Sequence, residues 1–246
     1  MRVLSKLLVA AFLIPMVSFA QDDESYRLAE LIYIKAKVGM EKQLEEAVKT
    51  HNEKYHAEAP YEGYLNYVVT GKDAGWYVWE MLGMTFTQLD DRPESDAHRA
   101  DWDKNVAKYV EEYGRSEIWR NAAKLSHRGE NGGDKQVIWL MQIENGESYR
   151  FKSFMEKVVN IYKKQNESLS TWYNTFPQND GRSVAFVWPF DKWATFDADD
   201  WKMKDEFDKE YGEGAWDDAL EEWDDFIKTM SQEVWVTVSG PASEEE

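Results

Sequence analysis

The hydrophobic and polar positions of the chain follow one pattern twice. An apolar stretch that ends in glycine occupies residues 31–39, and a second one occupies residues 138–146, 107 positions later. In both copies apolar residues then recur at helical spacing, and Val48 corresponds to Met155. A Val-Trp pair recurs at 78–79 and 187–188. A triplet of Glu, an aliphatic residue and Trp recurs at 117–119 and 233–235. Each half therefore predicts the order strand, helix, strand, strand, helix, strand.

The pattern also sets the expected bounds of the elements. In the first half they are 30–38, 40–58, 64–70, 76–81, 95–113 and 117–125. In the second half they are 136–144, 147–165, 169–176, 183–188, 199–230 and 233–238, with a break in the long helix at 212–214. Turn sequences rich in Asp and Gly separate the second and third strands of each half, at 72–75 and 179–181, which favours hairpins. We expect one unit at 26–126, a glycine-containing linker at 127–135, a second unit at 136–239 and an acidic tail at 240–246.

The order β-α-β-β-α-β is the ferredoxin-like unit. Two such units in one chain can cover each other's open sheet face. The predicted fold class is therefore α+β, with two tandem ferredoxin-like units packed sheet to sheet as an intrachain barrel. With its strand-end glycines and paired V-W motifs, the chain resembles the dimeric α+β barrel superfamily in a fused two-domain form.

The resemblance extends over nearly all of the chain after residue 20, and it concerns fold more than activity. The superfamily includes antibiotic-biosynthesis monooxygenases, NIPSNAP-like proteins, haem-degrading and haem-dependent enzymes, and isomerases. The resemblance thus implies a cofactor-light monooxygenase or a haem-binding protein as one class of function.

The composition of the chain predicts where the protein is located and disfavours some classes of binding partner. Residues 1–20 carry two basic residues, an apolar run and a small-residue cleavage site, which is typical of a secretory signal. There is no cysteine, so neither a lipid-anchored cysteine nor a disulfide is available, and we expect a periplasmic or secreted protein. Lys+Arg number 29 against 47 Asp+Glu, a net charge of −18 that disfavours nucleic acid as a partner. No stretch beyond the signal predicts a membrane span.

His51 is the most informative single residue of the sequence. It lies on the apolar stripe of the helix predicted at 40–58, and the repeat places Val158 at the equivalent position. The imidazole is then either a hydrogen-bonded core histidine or a base or ligand in a cleft between helix and sheet. His56 follows five residues later, about 140° around a helix, so we expect no joint metal site.

Aromatic and polar residues would line such a cleft. The candidate ligand-binding residues are His51, Tyr55, Asn66, Trp76, Trp79 and Lys35. Most tryptophans are expected in the core, because neighbours on a strand face opposite sides of a sheet. Lys35 is expected either to line a polar cavity between the sheets or to reach its rim. His98 and His127 are expected to be solvated.

No complete catalytic motif occurs in the sequence. The leading hypothesis is an exported protein that binds a small apolar or aromatic ligand, or a protein partner, without cofactor or metal. The alternative is an oxidoreductase, either a cofactor-light monooxygenase built around His51, Asn66 and Trp79 or a haem protein with His51 as axial ligand. We expect a monomer or a homodimer.

Overall fold

The computed structural model describes residues 26–197 and 203–241. The predicted signal at 1–20 and most of the predicted acidic tail lie outside the described residues. The first half contains β1 (Leu28–Ala36), α1 (Glu41–Tyr55), β2 (Gly63–Thr70), β3 (Tyr77–Met84), α2 (Phe86–Asp90), α3 (Asp96–Asp101) and β4 (Val110–Asn121). The second half contains β5 (Lys135–Ile143), α4 (Ser148–Gln165), β6 (Ser170–Phe176), β7 (Ser183–Phe190), α5 (Met203–Tyr211), α6 (Ala215–Phe226) and β8 (Ile227–Ser239).

The eight strands form one closed antiparallel barrel. Their order is β1-β3-β2-β8-β5-β7-β6-β4. Each half contributes four adjacent strands in the same relative order, β4-β1-β3-β2 and β8-β5-β7-β6. The two halves meet at two seams, where β2 pairs with β8 and β4 pairs with β6. Closure removes the exposed strand edges that a single four-stranded sheet would present. The α+β class and the barrel predicted from the sequence are confirmed.

Alternation along the strands divides the core of the described residues into three large clusters and a small one of Val137, Phe190 and Val234. On β1, Ile34 faces the helices, whereas Leu31 and Tyr33 face the barrel interior. The interior cluster also holds tryptophans from both halves, among them Trp119 and Trp235. A cavity of about 40 Å³ remains there, which is room for about one water molecule. The helices of each half cover the outside of the barrel with a cluster of their own.

Two strands begin earlier than the sequence pattern predicts. The helix predicted at 95–113 ends at Asp101 and is followed by a π-helical turn (Trp102–Val106) and a 3-10 turn (Ala107–Tyr109), so that β4 begins at Val110. β8 begins directly after α6. The added residues pair with the first strand of their own half but are mostly exposed, so they show no apolar alternation in the sequence.

The break predicted at 212–214 is confirmed. α5 and α6 are separated there by Gly212 and Gly214, whose φ angles of +112° and +82° suit glycine. Among the described residues, no helix is long and apolar enough to cross a membrane.

Candidate metal centre

Helix α1 places two histidines close together at its C-terminal end. His51 lies on its buried face and is 1% exposed. The helix ends at Tyr55, and His56 leaves the helical path with φ −136°. Its side chain therefore does not continue the 100° rotation per residue, and the rings of His51 and His56 lie 5.5 Å apart. The expectation that these two histidines point apart is wrong, because the helix ends one residue before His56.

Helix α3 supplies a third histidine and a carboxylate. His98 and Asp101 are three residues apart and lie on one face of the helix. Ser95 caps the helix by accepting a hydrogen bond from the backbone N–H of His98 at 3.1 Å. The π-helical turn that follows Asp101 widens the backbone, a feature that is frequent at functional sites. Both side chains of α3 are thus directed at α1.

The three imidazoles converge through the same ring atom. Nε2 of His98 lies 3.1 Å from Nε2 of His51 and 3.1 Å from Nε2 of His56. All three ligand atoms lie within 4.8 Å of one another. A tetrahedral ion with Zn–N bonds of about 2.0–2.1 Å separates its ligand nitrogens by about 3.3 Å. The observed spacing therefore suits three ligands of one ion. We call His51, His56 and His98 the histidine triad.

Hydrogen bonds at the opposite ring nitrogens fix two of these imidazoles. Nδ1 of His51 donates to Oδ2 of Asp101 at 2.9 Å, and Asn105 and Lys54 hold the other carboxylate oxygen at 3.0 and 3.4 Å. Nδ1 of His56 lies 3.1 Å from the carbonyl oxygen of Tyr61. Since a carbonyl only accepts, the proton of His56 is on Nδ1. The Nε2 lone pairs of His51 and His56 are therefore directed into the triad.

The triad is neutral at pH 7. Burial, together with the charge of the neighbouring His98, lowers the pKa of His56 to about 4. Burial also lowers the pKa of His98 and of His51, although Asp101 works in the opposite direction on His51. The hydrogen bond from His51 lowers the pKa of the Asp101 carboxyl. Neutral imidazoles and an ionised supporting carboxylate are the protonation states that metal binding requires.

Aromatic rings enclose the triad. Trp102 meets the His51 ring edge-on at 5.0 Å, and Tyr55 lies 4.7 Å from the His98 ring. Trp79 meets His56 at 5.1 Å and donates its Nε1–H to Oδ1 of Asn52 at 3.0 Å. His98 is the half-buried member of the triad, so solvent reaches the site on its side.

The structure brings together only some of the residues that the sequence singled out. His51, Tyr55 and Trp79 lie at the triad, as described above. Asn66 is fully buried on the opposite, interior face of the sheet, where its Nδ2 donates to Glu80 Oε2 at 2.9 Å. Lys35 is exposed, with Nζ 5.6 Å from the ring of Trp76, and both lie away from the triad. The grouping of His51 with Asn66 around one substrate is therefore wrong.

Sequence reasoning missed His56, His98 and Asp101. His98 was expected to be solvated, but it is half-buried against His51. Two features of the sequence could have indicated the site. Three of the four histidines lie in the first half of the chain, and His98 and Asp101 have a His-x-x-Asp spacing near the start of a predicted helix. Neither observation reveals the contact between α1 and α3 on which the site depends.

The surroundings of His51 do not fit haem. Its Nδ1 is bonded to Asp101, and its Nε2 faces His98 at 3.1 Å. Trp102 covers one edge of the ring. Neither the cavity inside the barrel nor the cleft described below reaches His51. A flat macrocycle would have to displace His98 to reach His51, so we derive no haem chemistry at this residue.

Comparison with known proteins identifies the fold. No protein-family model matches the chain, and no curated protein matches its sequence. A provisionally assigned monooxygenase from Lactobacillus acidophilus NCFM superposes with a TM-score of 0.58 at 9% identity, over 87% of this chain and 95% of that one. The chain has the dimeric α+β barrel fold.

Two further solved structures share this dimeric α+β barrel fold. A provisionally assigned monooxygenase from Fusobacterium nucleatum subsp. nucleatum has a TM-score of 0.56 at 10% identity, over 89% of this chain and 95% of that one. A provisionally assigned chlorite dismutase has a TM-score of 0.50 at 8% identity, over 87% and 96%. At these identities the likeness concerns architecture, and function has to be argued from the site.

Proposed function

We propose that the protein binds one first-row transition-metal ion through Nε2 of His51, His56 and His98. The observation that carries the proposal is the convergence of these three nitrogens: Nε2 of His98 lies 3.1 Å from Nε2 of each of the other two, and all three lie within 4.8 Å of one another. Support comes from the Nδ1 partners of His51 and His56, which direct the lone pairs inward as carboxylate and carbonyl partners do in known metal sites.

The donor set narrows the choice of ion. Imidazole nitrogens suit zinc, copper, iron and nickel, whereas calcium and magnesium prefer oxygen. Among these ions the general affinity order favours Cu²⁺, followed by Ni²⁺ and Zn²⁺. Three protein ligands leave a fourth position for water or a substrate, which is the arrangement of catalytic zinc sites rather than structural ones. We therefore propose a centre at which a small molecule can react.

Metal titration of the purified protein, expressed from its full-length sequence, tests the proposal. Co²⁺ reports four-coordinate nitrogen ligation through its visible absorption bands, and Zn²⁺ is followed by calorimetry. We expect one equivalent of either ion, with at least 100-fold weaker binding in His98→Ala. His127→Gln, which alters the one histidine outside the triad, is the matched control and should bind as the wild type does. Undetectable binding at micromolar ion, or unchanged binding in His98→Ala, would refute a triad-held ion.

An oxidoreductase activity is the second candidate function. The two provisionally assigned monooxygenases with the same fold favour it, as does a donor set that accepts iron or copper. Oxygen uptake in the presence of small phenols should then depend on Fe²⁺ or Cu²⁺ and be lost in His98→Ala. Equal uptake by the Zn²⁺-loaded protein would argue against it.

We also propose that the chain is exported and consists of two related units. The composition of residues 1–20 supports export, and protein recovered from the periplasm or medium should begin at Gln21. The common strand order of the two halves and the repeated apolar pattern support tandem ferredoxin-like units at 26–126 and 136–239.

A further inference from the structure

A large cleft lies at the seam where β4 of the first half pairs with β6 of the second. We call it the seam cleft. Its volume is about 820 Å³, within the range of about 300–1,000 Å³ typical of small-molecule sites. The side chains that define its chemistry are Tyr26, Phe86, Arg120, Lys124, Lys152 and Phe176. None of its lining residues belongs to the histidine triad, so the two sites can be tested separately.

The charged side chains that line the seam cleft are all basic, and one of them, Lys152, lies 3.9 Å from Glu156 on its own helix. The chain as a whole carries −18, yet the lining includes three basic side chains and, over the described residues, no Asp or Glu. The guanidinium of Arg120 stacks 4.0 Å above the ring of Tyr26. None of the described residues that line the cleft is a carboxylate that could compete with a ligand for the N–H groups of Arg120. A basic cleft in an acidic surface concentrates anions.

Aromatic rings from both halves form the other wall. Tyr26 and Phe86 lie 5.9 Å apart, and Phe176 meets Phe86 edge-on at 6.3 Å. Phe176 is 52% exposed, although a phenylalanine is costly to leave in water. Rings at these separations present edges and faces on which a further flat ring can pack. The cleft therefore combines a planar apolar wall with a planar cation.

We propose that the seam cleft binds a small aromatic carboxylate. The flat ring packs against the exposed surface of Phe176 on the aromatic wall, and the carboxylate receives paired N–H donors from the guanidinium of Arg120. The planar fork of arginine matches the geometry of a carboxylate, and such charge-assisted pairs are about twice as strong as neutral hydrogen bonds. The sequence-based expectation of an aromatic ligand is thereby moved from the helix-covered face of the sheet to the seam between the halves.

Calorimetric titration with 2-naphthoate tests the proposal. Two further compounds serve as comparison ligands. 2-Naphthalenemethanol keeps the aromatic ring without the charge, and cyclohexanecarboxylate keeps the charge without the aromatic ring. We expect saturable binding of 2-naphthoate with at least tenfold weaker binding of both analogues. Equal binding of the alcohol would overturn the role of Arg120, and equal binding of cyclohexanecarboxylate would overturn the role of the aromatic wall.

Three variants locate the binding. Arg120→Gln removes the cation, and Ala123→Trp adds bulk at an exposed position of the lining. Both should weaken 2-naphthoate binding at least tenfold while retaining a cooperative melting curve. Arg99→Gln, at an exposed arginine of α3, is the matched control and should leave binding unchanged. Unchanged affinity in Arg120→Gln and Ala123→Trp would place the ligand elsewhere. Metal binding by the triad should be the same in all three variants.

Discussion

A buried acid in the barrel gives the protein a stability that depends on pH. Glu233 is fully buried, and Nε1 of Trp235 donates to its Oε2 at 2.9 Å. Burial raises the pKa of Glu233 to about 7, and the nearby Asp73 also raises it. Burial disfavours ionisation of Asp73 as well, but the hydrogen bond and charge of Arg115 outweigh it and lower the pKa of Asp73. Below about pH 7 the structure thus holds a neutral Glu233 beside an ionised Asp73.

The cost of ionising Glu233 follows from these values. Moving a carboxyl pKa from 4.5 to about 7 corresponds to about 3 kcal/mol of folding free energy. The folded state binds this proton more tightly than the unfolded chain does. The contribution is therefore fully present below pH 4.5 and is lost as pH rises to about 7. Glu233→Gln keeps a neutral side chain of similar shape at every pH, and its amide can still accept from Trp235.

Urea unfolding at pH 5 and pH 8 measures the effect. The free energy of unfolding of Glu233→Gln relative to wild type should rise by about 3 kcal/mol between these pH values, or roughly 6–12 °C in melting temperature. Glu222→Gln, at an exposed glutamate of α6, should show no such difference. If Glu233→Gln followed the wild type at both pH values, Glu233 would be ionised in the native barrel and the reasoning would fail.

Two further substitutions test the site and the backbone. Asp101→Asn removes the charge that supports His51 and should weaken metal binding by about 10–100-fold in a chelator competition, and an unchanged affinity would deny Asp101 that role. Gly133→Ala should cost more than about 2 kcal/mol by urea unfolding, because φ is +147° and the new Cβ would lie 2.1 Å from a backbone carbonyl oxygen at the end of β7. Gly132→Ala meets open space and should stay within about 0.5 kcal/mol, so a similar loss in both variants would contradict the steric argument.

The regular elements of the fold could be predicted because their apolar periods are strong. β1 and α4 lie within two residues of their predicted bounds, at Leu28–Ala36 and Ser148–Gln165. β4 was predicted to begin seven residues too late, because residues 110–116 are mostly exposed and carry no alternation. Their strand conformation depends on pairing with β1, for example between Ile34 and Tyr113. Long-range pairing of this kind leaves no mark in a local hydrophobic pattern.

Only the part of the candidate site that lies on helix α1 could be predicted from the sequence. His51 was found because it interrupts an apolar stripe, and Tyr55 lies one turn further along the same helix. His56 was misplaced because the end of α1 changes the direction of its side chain by an amount that spacing alone does not give. His98 and Asp101 reach the site through packing of α3 against α1, a contact between residues nearly fifty positions apart.

The difference between the two halves points to what the triad is for. At the position that the repeated sequence pattern aligns with His51, the second half has Val158, which packs in a core of aromatic rings that includes Phe151 and Phe154. Three imidazoles in such a position cannot satisfy one another, because the inward lone pairs of His51 and His56 can share at most the single Nε2 proton of His98. One buried acceptor then stays without a donor, which costs about 1–3 kcal/mol. Burial makes protonation an unfavourable remedy, as the lowered pKa values show. An ion at the triad would accept all three Nε2 lone pairs at once. The triad lowers the stability of the first half when no ion is bound, and metal binding would therefore raise that stability.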